Sequence, residues 1–325
     1  MQDNFSLALA LHKTSTISSK WVWGDEILAV SLAKYLSKNY VCDVLNRDQC
    51  TELAGGGKYD AAIYFFPWLP PRIARINLFW FQSPREGFHW YLTDREWIEY
   101  AIRTVRANFD GVLCPSRRLA DIFRSRGLFS VYFPFFADTA VYYRNKFAGS
   151  KEYDCVYVGN NIKGEWTNRE TLYPVLKLCK QRNLRFGLFG AGWHLAREHD
   201  LVAPYYKGIL APEKIPILYS NSKVVLTFHF PSHRTFGIRN MRIYEGLACE
   251  ALVLSDVIDG ATKDLVTSAL ATGDGNSLVE ALSGLLDIDQ KVAEELGREG
   301  RAEVEEKHSA RERTRALERI VEELA

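Results

Sequence analysis

The sequence lacks a long hydrophobic run. No stretch approaches the roughly 20 apolar residues that a membrane-spanning helix needs, and the apolar start of the chain is too short for a secretion signal. The 6 cysteines form no CxxC pair, which argues against a zinc ribbon or a redox motif. We therefore expect a protein without a transmembrane segment, located in the cytoplasm, with buried and reduced thiols.

The sequence also has little excess charge of either sign. Its 41 basic and 40 acidic residues leave a formal net charge of +1, whereas non-specific nucleic-acid binding draws on a basic excess. There is no Walker A lysine loop, no HExxH and no GxSxG, and Gly190 and Gly192 do not complete a GxGxxG fingerprint. ATP hydrolysis, zinc proteolysis and α/β-hydrolase chemistry therefore all lack their residues.

Short apolar runs alternate with helical patterns along the whole chain. This alternation predicts parallel sheets wrapped by helices. It runs from FSLALALH to SVYFPF and starts again at YDCVYVGNN, after a polar segment near 134–150 that has no periodicity. We interpret that segment as a linker, so the sequence predicts an α/β protein with two Rossmann-like domains, 1–140 and 150–308.

The densest group of basic residues precedes a predicted helix in HFPSHRTFGIRNMRIYEGLACE. A diphosphate at the helix start near 238–240 would meet both backbone N–H donors and guanidinium charge. Glu245, about 1.5 turns into that helix, could accept hydrogen bonds from ribose hydroxyls. The alternative is a solvated polar surface. The basic residues of the loop are His229, His233, Arg234 and Arg239.

Two glycines follow other predicted strands. Gly159 ends one strand, and the loop after it carries Lys163, for which a phosphate ligand is one explanation. Gly24 precedes the first helix, whose first turn contains Asp25 and Glu26. The helix dipole favours acids there without any function. The functional alternative is that Gly24 admits a ligand to the backbone and that one of the acids supplies a carboxylate.

These segments resemble the GT-B-fold glycosyltransferases, most closely the CgeB-like (spore maturation protein CgeB-like) group and more distantly glycosyltransferase family 4. RNMRIYEGLACEALVLSD is similar to that group's pattern N-x-R-x-(F/Y)-E-A-x-A-C-G, and WGDEILAVSLAKYLSK and EEKHSARERTRALERIVEEL are similar to its ends. The sequence departs from the pattern at three positions. Gly237 stands where the first glutamate of an E-x7-E motif is usual, Gly246 replaces an alanine, and Glu250 replaces a glycine.

The resemblance implies a nucleotide-sugar co-substrate, a UDP- or GDP-sugar, and no other cofactor. It assigns ribose binding to Glu245, phosphate binding to the helix start at 239–241, and stacking of the base to Gly208 and Ile209. Together with the residues above, the predicted donor-binding set is Gly24, Gly159, Asn160, Lys163, Gly208, Ile209, Arg234, Arg239, Asn240, Met241, Arg242 and Glu245.

The resemblance also implies two domains facing a cleft, with the final helix crossing back to the first. In 309–325 the apolar residues Ala316, Leu317, Ile320, Val321 and Leu324 share one helical face that needs a partner surface. The expected domains are therefore 1–140 with 309–325 for the acceptor, and 150–308 for the donor.

No metal-binding DxD motif lies in a suitable loop, so we expect no metal requirement. The helix start with Arg234, Arg239 and Lys163 would then stabilise the leaving diphosphate. An inverting enzyme would need a base in the first domain, whereas a retaining enzyme would need none. The candidates for that base are Asp25, Glu26, Glu86 and His12.

The acceptor stays open among a glycan, a protein, a lipid-linked molecule and a modified nucleic-acid base, and so does the oligomeric state. Two other classes also remain. One is a sugar-nucleotide epimerase of the same fold, which needs no acceptor site. The other is a non-catalytic nucleotide-sugar-binding protein, which Gly237 in place of the motif glutamate supports.

Overall fold

The computed structural model describes residues 5–11, 24–66, 72–82, 91–145, 152–161, 170–256, 269–272 and 275–325. The chain divides into two compact units. The first combines Met1–Phe136 with Ser309–Ala325, and the second is Ala137–His308. Among the described helices, none combines the length and apolar character that crossing a membrane requires.

The first unit contains a six-stranded parallel sheet. Its inner strands are buried on both faces, which explains why YDAAIY and ARINLFW read as nearly continuous apolar runs. The order across the sheet is β2-β1-β3-β4-β5-β6. The strands are β1 (Ser6–Ala10), β2 (Val41–Leu45), β3 (Tyr59–Tyr64), β4 (Ala74–Trp80), β5 (Gly111–Cys114) and β6 (Ser130–Tyr132).

Four helices of this unit are α1 (Gly24–Leu36), α2 (Arg47–Glu52), α3 (Asp94–Asn108) and α4 (Arg117–Ser125). Polar side chains fix where several of them begin. Thr93 and Glu96 form a reciprocal capping box at the start of α3, and the Ser116 side chain accepts from the Leu119 N–H at the start of α4.

The second unit contains a five-stranded parallel sheet with the order β11-β10-β9-β7-β8. Its strands are β7 (Tyr153–Val158), β8 (Phe186–Phe189), β9 (Ser222–Thr227), β10 (Leu252–Asp256) and β11 (Ala269–Thr272). The helices are α5 (Leu172–Gln181), α6 (His199–Val202), α7 (Ile215–Ser220), α8 (Pro231–Phe236), α9 (Met241–Ala248), α10 (Gly275–Leu286) and α11 (Gln290–Lys307). Two 3-10 turns span Trp193–Leu195 and Pro212–Lys214.

The two sheets share one strand order. Counted from the first strand of each unit, both begin 2-1-3-4-5, and the first sheet adds a sixth strand at its far edge. In such doubly wound sheets the order reverses between strands 1 and 3, and ligands bind outside the carboxyl ends of the strands at that point. The reversal lies between β1 and β3 in the first unit and between β7 and β9 in the second.

The last helix, α12 (Ala310–Leu324), belongs to the first unit, as the sequence predicts. Leu317, Ile320 and Val321 are buried on its inner face, and it packs against α1. The Arg313 guanidinium lies 5.6 Å from the ring centre of Phe133 in the same unit. The apolar stripe read from the sequence therefore has its partner surface.

The predicted linker differs from the structure, which groups residues 137–145 with the second unit. The Ala137 N–H donates to the His308 carbonyl (3.1 Å), and the Asn145 N–H donates to Ser220 Oγ (3.0 Å). Arg144 forms an ion pair with Glu250 at 3.0 Å. Two backbone N–H groups and the Arg144 side chain thus attach this segment to the second unit, and the first unit ends at Phe136 and not near residue 140.

Candidate functional site

The carboxyl ends of β7 and β9 meet at the point where the strand order of the second sheet reverses. The register places Tyr157 opposite Leu226 and Thr227 opposite Ser255. The segments that follow, 159–161, 228–230 and the start of α9, therefore leave the sheet at one edge. This is the expected place for a ligand in a parallel sheet.

The glycines after β7 and β8 let two loops lie in direct contact. The Gly159 N–H donates to the Phe189 carbonyl (2.9 Å), and the Gly190 N–H donates to the Gly208 carbonyl (2.9 Å). A Cβ on Gly190 would lie 2.0 Å from the Gly159 carbonyl oxygen, at a φ of +133° that excludes other residues. Gly190 thus serves loop packing, and the contacts bring the predicted residues Gly159 and Gly208 together.

Two further predicted donor residues lie at these loops. The side-chain oxygen of Asn160 is already used within the protein, because it accepts a hydrogen bond from the Ala191 N–H at 2.8 Å. Ile209 follows Gly208 and keeps 55% of its surface exposed. An exposed isoleucine beside a glycine with positive φ offers an apolar surface on which a flat ring can pack.

His229 is part of the framework of the site. Its Nδ1 lies 2.5 Å from the Asp256 carboxylate, and its Nε2 accepts a hydrogen bond from the Asn240 N–H at 3.1 Å. Because Nε2 is an acceptor, the proton of this neutral imidazole is on Nδ1 and is donated to Asp256. Both ring nitrogens are thus used to join the ends of β9 and β10 to the start of α9.

The basic loop contains a short helix, α8, that the sequence interpretation treats as irregular. From this helix the Arg234 guanidinium reaches Asp256 at 3.6 Å and Glu170 at 3.4 Å. Its charge is therefore already compensated by two carboxylates. Among the basic residues predicted to bind phosphate, Arg234 is thus one that already has acidic partners in the protein.

His233 is buried on the same helix, with 7% of its surface exposed. Burial is the main cause that lowers the pKa of its imidazole to about 3, and the neighbouring His229 and Arg242 add to the effect. The ring is therefore neutral at physiological pH. Its Nε2 is buried and has no hydrogen-bond partner among the described residues.

Helix α9 begins after the N-cap residue Asn240. The Asn240 side-chain oxygen accepts from the Arg242 N–H (3.1 Å) and from Thr227 Oγ1 (2.8 Å). These bonds hold Met241, the first helical residue, at the edge of the sheet next to the end of β9. The predicted helix start is confirmed to within a turn.

Arg239, directly before that N-cap, differs from Arg234. Only 6% of its surface is exposed, and its Nη2 is buried without a partner in the described part of the chain. A buried polar atom without a hydrogen bond is costly. This unsatisfied nitrogen lies just before the start of α9, where the helix dipole favours negative charge.

Arg242 and Glu245 follow on one side of α9. The Arg242 guanidinium lies 5.8 Å from the ring centre of Tyr157, and its Nη2 is 3.1 Å from where a Cβ on Gly159 would be. Glu245 is buried, with 4% of its surface exposed. Burial raises the pKa of its carboxyl to about 7, against the opposing effects of a hydrogen bond with Tyr142 and the charge of Arg242.

The three departures from the resembled motif have local physical reasons. Gly237 ends α8 in the left-handed conformation at φ +70°, where a glutamate would be strained. Glu250 takes the position after α9 at φ +56°, and its carboxylate holds Arg144 at 3.0 Å. Gly246 allows α9 to approach the sheet, since a Cβ there would lie 2.8 Å from Val253 Cγ2.

We expect Gly246→Ala to lower the free energy of unfolding by about 1 kcal/mol. The gain in helix propensity is about 1 kcal/mol, but overpacking against a stiff, buried valine costs about 1–3 kcal/mol. Urea unfolding of the single variant and of Gly246→Ala with Val253→Ala measures the coupling, because the second change makes room for the new methyl group. An increase in stability from the single change would contradict the close contact.

The predicted residues Gly24, Asp25 and Glu26 of the first unit form the first turn of α1, the helix that follows β1 in the chain, and Glu26 is buried. The other predicted residues Glu86, His12 and Lys163 lie outside the described residues. Within the described residues, no group of three His, Cys, Asp or Glu side chains is arranged to hold a metal ion.

Sequence reasoning missed two residues of the site, Asp256 and Tyr142. Asp256 ends the strand ALVLSD, so its position at a strand end was a usable signal. Tyr142 lies in the segment interpreted as a linker, and no local pattern points to it. Glu245, which is distant in the sequence, helps burial to raise the pKa of the Tyr142 hydroxyl.

Comparison with known proteins gives one family match and a set of structures with the same fold. Residues 169–319 match the family model described as Glycosyl transferase-like, and no curated protein matches the chain. A solved sucrose-phosphate synthase from Thermosynechococcus elongatus is 14% identical with a TM-score of 0.75, and 98% of this chain aligns with 99% of it. HepE of Anabaena, solved with UDP and glucose, is 12% identical with a TM-score of 0.72, and 98% of this chain aligns with 99% of it.

The BGT of T4 phage, solved with its UDP-glucose substrate, is also similar. It is 14% identical with a TM-score of 0.62, and 98% of this chain aligns with 99% of it. At such identities these likenesses establish the fold. The fold is that of the GT-B glycosyltransferases, and the family match is confined to residues 169–319.

Proposed function

We propose that this protein transfers a sugar from a nucleotide-sugar donor, a UDP- or GDP-sugar, to an acceptor, and that the second unit binds the donor. The observation that carries the proposal is Nη2 of the buried Arg239, which has no hydrogen-bond partner among the described residues; Arg239 directly precedes the N-cap of α9. A diphosphate at this place would neutralise the buried charge and meet the positive end of the helix.

The remaining donor residues fit around that anion. Glu245 would accept hydrogen bonds from the ribose, and the exposed Ile209 beside Gly208 would contact the base. Arg242 next to Gly159 offers a second guanidinium on the phosphate side. HepE solved with UDP and BGT solved with UDP-glucose support a uridine diphosphate sugar as the first donor to test.

For the first unit we propose acceptor binding, with Asp25, Glu26 or Glu86 as the base if the reaction inverts the sugar. Membership of the CgeB-like group is part of the same proposal. The acceptor would be a glycan, a protein, a lipid-linked molecule or a modified base. Incubation with the nucleotide-sugar alone separates transfer from epimerisation, since a transferase leaves the sugar of its donor unisomerised.

The binding half of the proposal is tested by calorimetry and thermal shift with UDP, GDP, UDP-glucose and GDP-mannose. We expect one pair to bind and to raise the melting temperature with the logarithm of the ligand concentration once that exceeds the dissociation constant. Glu245→Ala should weaken that binding about tenfold or more, because a hydrogen bond to a charged group contributes roughly 1.5–3 kcal/mol. Absence of binding by all four nucleotides would overturn the proposal.

We also expect turnover to be independent of metal ions. Arg239 and the first turn of α9 would stabilise the departing diphosphate without a divalent cation. The measurement is release of nucleotide from the donor in the presence of an acceptor, with EDTA and with added Mg²⁺ or Mn²⁺. Activity that EDTA abolishes and a divalent ion restores would contradict this prediction.

A further inference from the structure

We propose that His229 and Asp256 are positioning residues for the donor diphosphate, because together they fix the start of α9 before the donor binds. Asp256 determines which ring nitrogen of His229 carries the proton, and the other nitrogen then holds the N-cap residue Asn240. The inference rests on the proposed function, since it assumes that the diphosphate binds at this helix start. It assigns a role in donor affinity to two enclosed side chains outside the predicted donor-binding set.

The carboxylate of Asp256 holds His229 at two points. The side chains of His229 and Asp256 are 0% and 2% exposed. One carboxylate oxygen lies 2.5 Å from His229 Nδ1, and the other accepts a hydrogen bond from the His229 backbone N–H at 3.1 Å. The aspartate therefore fixes both the backbone and the ring, and the ring cannot rotate without breaking a buried hydrogen bond.

This pairing determines the tautomer of the His229 ring. An ionised carboxylate only accepts hydrogen bonds, so the ring nitrogen that faces Asp256 must be the donor. The second nitrogen of a neutral ring is then an acceptor, and Nε2 accepts from the Asn240 N–H at 3.1 Å. A positively charged ring has no acceptor nitrogen, so the bond to Asn240 requires the neutral form.

Asn240 is the residue through which the pair acts on the donor site. Its N–H donates to His229, and its side-chain nitrogen donates to the Phe228 carbonyl at 3.2 Å. Its side-chain oxygen accepts from Thr227 Oγ1 at 2.8 Å and from the Arg242 N–H at 3.1 Å. Consecutive residues at and after the end of β9 thus hold the N-cap of α9 by its backbone and by both ends of its side chain.

The Asn240 N–H belongs to the peptide group that follows Arg239. Holding this peptide group limits the directions in which the Arg239 side chain can leave the backbone, and Arg239 Nη2 is the buried nitrogen without a hydrogen-bond partner among the described residues. It also fixes the first turn of α9, whose backbone N–H groups would meet the diphosphate. A site that is held before the ligand arrives loses less conformational entropy on binding.

The experiment compares two replacements of His229 by calorimetry with UDP and GDP, below the melting temperature of every variant. Asparagine can still donate to Asp256 but is too short to accept from the Asn240 N–H, whereas glutamine carries an acceptor oxygen as far out as Nε2. We expect His229→Asn to weaken nucleotide binding about tenfold, because a buried N–H loses its partner. His229→Gln should recover most of that loss.

The control variant is Val175→Ala, which opens a cavity in the buried core of the same unit, on α5. It should lower the melting temperature and leave the nucleotide affinity unchanged. An equal loss of affinity in Val175→Ala and His229→Asn would show that affinity follows stability, and the positioning role would be wrong.

Nitrogen-15 NMR of the histidine rings tests the part played by Asp256. The chain has 7 histidines, and the signal that disappears in His229→Gln belongs to His229. We expect the wild-type ring to carry its proton on Nδ1. Asp256→Asn offers one acceptor oxygen in place of two, so it should move the ring towards the Nε2–H tautomer and weaken nucleotide binding about threefold or more. An unchanged tautomer with unchanged affinity would exclude Asp256 as a positioning residue.

The wild-type measurement separates this inference from the proposed function. If the wild type binds neither UDP nor GDP, the proposed donor class is wrong. If the wild type binds one of them and His229→Asn binds it equally well, only the positioning role fails and the proposed function stands.

Discussion

Replacing Arg239 with methionine is expected to abolish most donor binding while leaving the free protein as stable as the wild type or more stable. The variant removes a buried guanidinium whose Nη2 has no partner among the described residues. Replacing buried charge with an apolar side chain of similar size is often neutral or stabilising by about 1–4 kcal/mol. Loss of charge-assisted bonds to a diphosphate should cost the complex about 3 kcal/mol, or roughly a hundredfold in affinity.

Arg234→Met is the matched control for this prediction. Arg234 reaches Asp256 and Glu170 at 3.6 and 3.4 Å, so its removal leaves Asp256 with one cationic neighbour fewer and should lower stability. Urea unfolding of both variants measures the change in stability, and calorimetry with UDP-glucose measures the change in donor affinity. If Arg239→Met instead loses stability and binds the nucleotide normally, the guanidinium has a partner within the protein and not in a ligand.

Much of the fold was predictable because its strands are short and buried. The apolar runs of β5 and β10 stand out between polar turns, and the matching helices carry amphipathic patterns. Helix α8 was missed, since its six residues lie among basic side chains that suggested a loop. Its signals were nevertheless present, with a proline in the first turn and a glycine after the last.

The order of the strands could not be read from the sequence. Both sheets place their second strand at an outer position and continue 1-3-4-5 on the other side. Hydrophobic periodicity indicates that a strand is buried, but not which strand it pairs with. The common order appears only when the pairing is known, although the sequences of the two halves show no repeat.

The site was predicted as a set of residue types, but not with their partners. Arg234 and Arg239 look equivalent in the sequence, since both are basic residues before one helix. They differ because β10 lies beside β9, which brings Asp256 to Arg234. Glu245 was correctly placed in a helix, but the sequence did not indicate that the interpreted linker brings Tyr142 near enough to affect the pKa of its carboxyl. Such non-local contacts decide which charges remain for a ligand.

Glu245 should make the stability of the second unit fall between pH 4.5 and pH 7. Burial raises the pKa of its carboxyl from the ordinary 4.5 to about 7 in the folded protein. Below pH 4.5 both states are protonated and the full contribution is present. Between the two values the unfolded chain has released a proton that the folded chain keeps, so stability decreases as pH rises, and above pH 7 the contribution is lost.

Because each pH unit between the two pKa values contributes about 1.4 kcal/mol, this group should account for about 3 kcal/mol. Glu245→Gln keeps the shape and removes the titration. Urea unfolding of both proteins at pH 5, 6, 7 and 8 should therefore give curves that diverge with pH, with the glutamine variant more stable at pH 8. Parallel curves would show that Glu245 is ionised in the folded protein throughout.

Donor affinity should have the opposite pH dependence, since ionised Glu245 is the form that accepts hydrogen bonds from the ribose hydroxyls. The same buried side chain would thus favour folding in its protonated form at low pH and donor binding in its ionised form at high pH.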